Sequence, residues 1–152
     1  MRAVTPSRMH LLHTMLRVLN LDAALRFWCD ALGMVEVRRS EHAVGRFTLV
    51  FLRAAADVGR ADAAELELTW NWDETEPYGT GRAFGHVAVA VDDIHATCAR
   101  LQAHGVTILR PPRDGRMAFV KSPDGQSVEL LQRGPALTPQ EPWVKMPNTG
   151  TW

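Results

Sequence analysis

Cysteine, tyrosine and net charge are the scarce features of this 152-residue chain: two cysteines, one tyrosine, and 17 basic residues balanced by 17 acidic ones. Two thiols, Cys29 and Cys98, cannot build a disulfide framework, and both fall in helix-like segments that suit reduced core cysteines. None is needed, because a chain of this size buries roughly 68–70% of its unfolded surface on folding. The missing positive charge excludes a general nucleic-acid binder, yet leaves room for a few arginines facing an anionic small molecule. No apolar run approaches the roughly 18 residues of a membrane-spanning helix. The opening MRAVTPSRMHLLH has no apolar stretch of signal-peptide length, so the reading is cytoplasmic, with neither a membrane nor a nucleic-acid partner. What is present, 46% hydrophobic and 22% charged residues, is the composition of a folded domain.

The chain repeats itself once, faintly in letters and clearly in pattern. The first copy runs from an alternating strand, 10–18, through a turn at Asn20-Leu21-Asp22 into a helix-period segment ending at Gly33. The second runs from 84–91 through Asp92-Asp93 into a helix ending at Gly105. An aspartate at each helix start and a glycine at each stop give both boundaries a mechanism, side-chain capping and a left-handed terminus. Three strand candidates follow each helix: 34–40, 46–53 and 64–72 in one copy, 106–111, 116–122 and 126–132 in the other. The expected fold is therefore α+β, two tandem βαβββ modules in one domain over 1–152. Module one covers about 9–72, an irregular linker 73–83, module two about 84–132, and a tail 133–152. The tail, rich in proline and carrying Trp143 and Trp152, cannot form a regular helix or central strand. It reads as a strap lying over the domain or over a partner.

Strand alternation then sorts the side chains. His13, Met15 and Arg17 share one face of the first strand, while Glu65, Glu67, Thr69 and Asn71 share one face of the fourth. In the second copy His86 lies on one face with Arg82 and Phe84, and Glu129 with Ser127 and Leu131. Each half thus offers one histidine from its first strand and one glutamate from its last. A set of two imidazoles and two carboxylates without thiols suits Zn, Ni, Co or Fe(II). Arg17 stands four residues beyond His13, Asn71 four beyond Glu67, and Arg82 four before His86, about 13 Å along a strand. A metal at one end and guanidinium and amide groups at the other would fit an elongated anion with one reactive end. His95 and Cys98 offer half of a further ligand set without an evident partner segment. His10, His42 and His104 read as surface or turn residues.

The segments LHTMLRV (12–18), FWCDALGM (27–34), ELTWNW (67–72), GRAFGHVAVAVDD (81–93), AFVKSPDG (118–125) and VELLQ (128–132) resemble the glyoxalase I family. That family lies within the vicinal-oxygen-chelate superfamily, whose curved mixed sheets hold the site in their concavity. The resemblance spans roughly 10–132, with the motifs in order. It implies metal ligands at His13, Glu67, His86 and Glu129, and a glutathione-carboxylate clamp at Arg17 and Asn71. Arg82 matches a basic residue found in some members, and Arg110 stands where others carry a lysine. It also implies a homodimer whose sites each join module one of one chain to module two of the other. Three departures bear on the substrate: a loop at Met117–Ala118 about three residues shorter than in the best-known members, Gln126 in place of a tyrosine, and a tail outside the common motif.

The implied reaction isomerises the methylglyoxal–glutathione hemithioacetal to S-lactoylglutathione. A base takes the C1 proton, an enediolate forms, and C2 is reprotonated. The resemblance assigns Glu129 as the principal base, with Glu67 the next candidate. The resemblance also implies Ni(II) or Co(II), since the compact family members activated by those metals carry a histidine at the first ligand position as this chain does, with Zn(II) as the alternative. Two rival readings are an extradiol-type Fe(II)/Mn(II) dioxygenase and a non-catalytic resistance-type binding module. A fourth ligand at Glu67 argues against the first, and all four ligand positions together argue against the second.

Overall fold

A computed structural model describes residues 8–79 and 81–152. Strand β1 (His13–Val18) leads through Asn20 into helix α1 (Leu21–Leu25). The cap of that helix is Asn20 and not Asp22. Asn20 is extended, and its Oδ1 accepts the Ala23 N–H at 2.9 Å, while Asp22 already lies in the first turn. The helix continues as a π-helical turn over Arg26–Ala31 and stops at Gly33, whose φ of 90° is left-handed. The second copy follows the sequence pattern closely. After β5 (His86–Val91), Asp93 caps α2 (Ile94–Ala103) through the Ala96 N–H, and Gly105 ends it with φ 78°.

The remaining strands of the first half are β2 (Met34–His42), β3 (Phe47–Ala54) and β4 (Glu65–Asn71). They form a sheet in the order β1-β4-β3-β2, with β1 parallel to β4 and the other pairs antiparallel. The second half builds a smaller sheet from β6 (Met117–Lys121) and β7 (Ser127–Gln132), ordered β5-β7-β6 with β5 parallel to β7. The architecture is α+β with two mixed sheets in tandem. The strand expected over 106–111 is a correction to that pattern, because only an isolated bridge between Arg110 and Phe119 forms there. Pro111 and Pro112 carry no N–H with which to extend the ladder. Just before them, the Leu109 carbonyl is taken by the Thr149 N–H at 2.8 Å.

That bond belongs to the tail, which lies over its own domain as a strap. The Leu137 N–H reaches the Gly115 carbonyl, Arg113 holds the Met146 carbonyl and the Asn148 side chain, and Trp143 is buried. Trp143 joins one continuous cluster drawn from both halves, including Trp28, Leu52, Leu68, Ile94, Leu101 and Leu130. Fully burying such a side chain contributes about 1.5–3 kcal/mol. Both cysteines are free thiols; Cys98 is fully buried, and burial pushes its thiol up to about 12. No helix among the described residues is long and apolar enough to cross a membrane.

Candidate metal and substrate site

The two halves place their histidine and glutamate by the same register. His13 lies opposite Glu65 in the parallel β1–β4 pair, and Glu67 is two residues further along β4. His86 lies opposite Ser127, and Glu129 is two residues further along β7. The outcome is the same twice: His13 Nε2 stands 3.0 Å from Glu67 Oε2, and His86 Nε2 stands 2.9 Å from Glu129 Oε2. Both imidazoles are exposed and both carboxylates are largely buried. A nitrogen and an oxygen donor from neighbouring strands, on one face and without a thiol, fit a borderline divalent ion. Among the described residues no three His, Cys, Asp or Glu side chains converge, so each pair stands alone within the chain.

A phenylalanine braces each pair. Phe51 faces Glu67 across β3–β4, and its ring meets His13 edge-on at 5.7 Å. Phe119 faces Glu129 across β6–β7, and its ring meets His86 edge-on at 5.6 Å. Beyond this shared frame the halves diverge. Thr69, two residues past Glu67, donates its hydroxyl to Glu67 Oε1 at 3.0 Å, so both oxygens of that carboxylate are engaged. The equivalent residue past Glu129 is Leu131, which has no hydroxyl to donate, and among the described residues no side chain donates to the second oxygen of Glu129.

Half one also brings Arg17 and Asn71 together. Arg17 Nη1 donates to Asn71 Oδ1 at 2.8 Å, and both side chains line a cleft of about 470 Å³ with Arg46, Asp73, Glu74 and Tyr78. At the other end of β1 a second cleft, about 660 Å³, opens beside His13, Phe51, Arg38, Arg53 and Glu65. Glu65 bonds Arg38 at 2.5 Å and Arg53 at 2.9 Å. Burial opposes its charge, but the hydrogen bonds and charge of the two guanidiniums win and hold its carboxyl below the ordinary range.

Arg82 and Arg110 are placed differently. Arg82 lies exposed in the turn that precedes β5. Arg110 bonds the Met117 carbonyl and Asp114, so its guanidinium ties together the β6 hairpin. His95 is a core histidine, stacked on Trp143 with Nε2 at 3.3 Å from the Thr138 carbonyl. Sequence reading missed Phe51 and Phe119, which strand register places beside the pairs, and it set Thr69 on the face of Glu67 without assigning its hydrogen bond. It also missed Gln126, whose Nε2 donates to the Arg17 carbonyl and fixes the clamp strand from the other half.

A model of the Glyoxalase/Bleomycin resistance protein/Dioxygenase superfamily matches residues 10–130. A lactoylglutathione lyase of Neisseria meningitidis is 45% identical over 130 residues, 82% of this chain and 91% of that protein. A probable lactoylglutathione lyase of Synechocystis is 41% identical, covering 82% and 95%. Among solved structures, the trypanothione-dependent glyoxalase I of Leishmania major superposes with a TM-score of 0.74 at 37% identity, covering 82% of this chain and 87% of that one.

Proposed function

The chain belongs to the Glyoxalase/Bleomycin resistance protein/Dioxygenase superfamily, and from that premise we propose that it works as a lactoylglutathione lyase. Its substrate is the hemithioacetal of methylglyoxal and glutathione, and its product is S-lactoylglutathione. The observation that carries this reading is the duplicated pair, His13–Glu67 and His86–Glu129, in equal register beside an Arg17–Asn71 clamp. The curated relatives with this activity align over nearly their whole length.

His13, Glu67, His86 and Glu129 are the residues that would hold one divalent ion, with Ni(II) or Co(II) preferred to Zn(II). Such an ion supplies Lewis acidity toward the oxygen on which negative charge develops. The rest is done by side chains. Arg17 and Asn71 grip a glutathione carboxylate at the far end of β1, and the exposed Arg82 supplies further positive charge toward the peptide, while Arg110, paired with Asp114, holds the adjoining hairpin in place. Glu129, whose second oxygen has no donor among the described residues, takes the proton from C1 and returns it to C2. Glu67, with both oxygens engaged, is a holding carboxylate. Each complete ligand set comes from half one of one protomer and half two of its partner, in a cytoplasmic homodimer.

The deciding assay follows lactoylglutathione formation by metal-stripped protein refilled with Ni, Co, Zn or Fe. The expected result is activity restored by Ni and Co ahead of Zn. No isomerisation with any of the four metals would overturn the reading.

A further inference from the structure

The family match ends at residue 130, yet the chain continues for a further strap, and the strap does not wander. It is fastened at Gly115–Leu137, at the buried Trp143, at Arg113–Met146 and Arg113–Asn148, and at Leu109–Thr149. The last of these bonds lays the chain end beside Leu109 and Arg110, and Arg110 is the bridge partner of Phe119. Trp152 therefore arrives on Phe119. Their rings stack with centroids 5.4 Å apart and planes 20° from parallel. Phe119 is also the ring that meets His86 edge-on, so the indole and the second half's ligand pair share one aromatic neighbour. The indole remains 42% exposed.

The first half shows what occupies the equivalent place there. Phe51 is covered by the Arg38 guanidinium, 3.3 Å from the ring centroid, and Arg38 is itself held by Glu65. The same brace thus carries a cation in one half and, in the other, an indole delivered by a segment outside the family match. A cation there favours charge, whereas an exposed flat indole favours an apolar, preferably aromatic, neighbour.

We propose that Trp152 is a specificity-determining residue that walls the reacting end of the site and favours hemithioacetals of 2-oxoaldehydes with a flat apolar substituent. This rests on the lyase reading above. An aryl group on the substrate stacks against the free part of the indole, while a methyl group is too small to gain from it. An aromatic pair of this kind corresponds to roughly 2- to 12-fold in affinity.

The test compares the nickel-loaded wild type with Trp152→Ala and Trp152→Phe. The kcat/KM ratio for phenylglyoxal over methylglyoxal hemithioacetal should fall about 3- to 10-fold in Trp152→Ala, recover in Trp152→Phe, and leave metal content unchanged. A second measurement needs no turnover: calorimetric affinity for S-benzylglutathione should fall by the same factor in Trp152→Ala, while that for S-methylglutathione stays constant. A wild type that turns over neither hemithioacetal overturns the lyase reading, and the calorimetric pair then decides the role of Trp152 alone. An unchanged benzyl-to-methyl affinity ratio in Trp152→Ala, a wild type that binds S-benzylglutathione no better than S-methylglutathione, or a phenyl preference that rises in Trp152→Ala overturns the inference.

Discussion

Glu67 and Glu129 are the same residue at the same register with unequal surroundings, and the proposed division of work rests on that difference. Thr69 and His13 between them engage both oxygens of Glu67, whereas among the described residues Glu129 meets only His86, through one oxygen. A carboxylate with a free oxygen can accept a proton without breaking a protein bond. Glu129→Gln keeps an oxygen donor and removes the base. It is expected to retain metal, measured by elemental analysis, while turnover falls by about 10²–10⁴-fold. Near-normal turnover in the loaded variant would move the base to Glu67. Glu65 yields a prediction of a different kind. Its carboxyl titrates below the ordinary range in the folded protein because Arg38 and Arg53 outweigh the effect of burial. A depressed folded pKa contributes stability that is present above the unfolded value and is lost as pH falls through the folded one. Glu65→Gln should therefore unfold more easily at pH 7, by about 1–3 kcal/mol, and the two urea curves should converge in acid. A gap that persists unchanged at pH 2 would show that the ion pairs are not its source.

The tail is the element that depends most on a single backbone position. Gly115 has φ 66°, and a Cβ built there would lie 1.9 Å from the Leu137 carbonyl oxygen. Gly115→Ala must push the strap away and is itself strained, so it should cost about 2 kcal/mol or more. Hydrogen exchange should speed at Thr149 while β1 and β4 stay protected; an unchanged Thr149 amide would mean the strap is held elsewhere. Nothing in local sequence could show this path. Pro135, Pro139, Pro142 and Pro147 exclude helix and ladder, but the landing points at Gly115, Leu109 and Phe119 are tertiary. Where period and caps act locally, the reading succeeded: β4, α2, Asp93 and both glycine stops lie where pattern puts them. It failed at Asn20, because Asn and Asp two positions apart in one turn cap equally well by composition. It failed again at 106–111, because apolar alternation outweighed Pro111-Pro112 and said nothing of a tail competing for Leu109. The two His–Glu pairs could be read from alternation and repetition. Their phenylalanine braces needed the register between strands.

Repetition of the whole unit also bears on how a complete site would be assembled. The halves share the His–Glu pair and the phenylalanine brace, but half one alone has the Arg17–Asn71 clamp, where half two has Ala90 and Arg133. Half two alone has the carboxylate with a free oxygen. Two copies of half one would grip substrate without a base, and two copies of half two would have a base without the clamp. On the proposed roles a working site needs unlike halves, and among the described residues of one chain the two pairs do not converge on a common point. Joining half one of one protomer to half two of its partner across a two-fold axis gives two such sites per dimer. A mixed dimer of Glu67→Ala and Glu129→Ala chains separates this arrangement from a site closed within one chain. With shared sites, one site collects both lesions and the other receives the intact half of each protomer. Purified through two different tags, the mixed dimer should then regain roughly half of wild-type activity from two inactive parents, if the sites act independently. With self-contained sites every site keeps one lesion and nothing returns. Both parents must be dimeric and folded by sedimentation and circular dichroism for the comparison to count, and a mixed dimer as inactive as its parents would place each site inside a single chain.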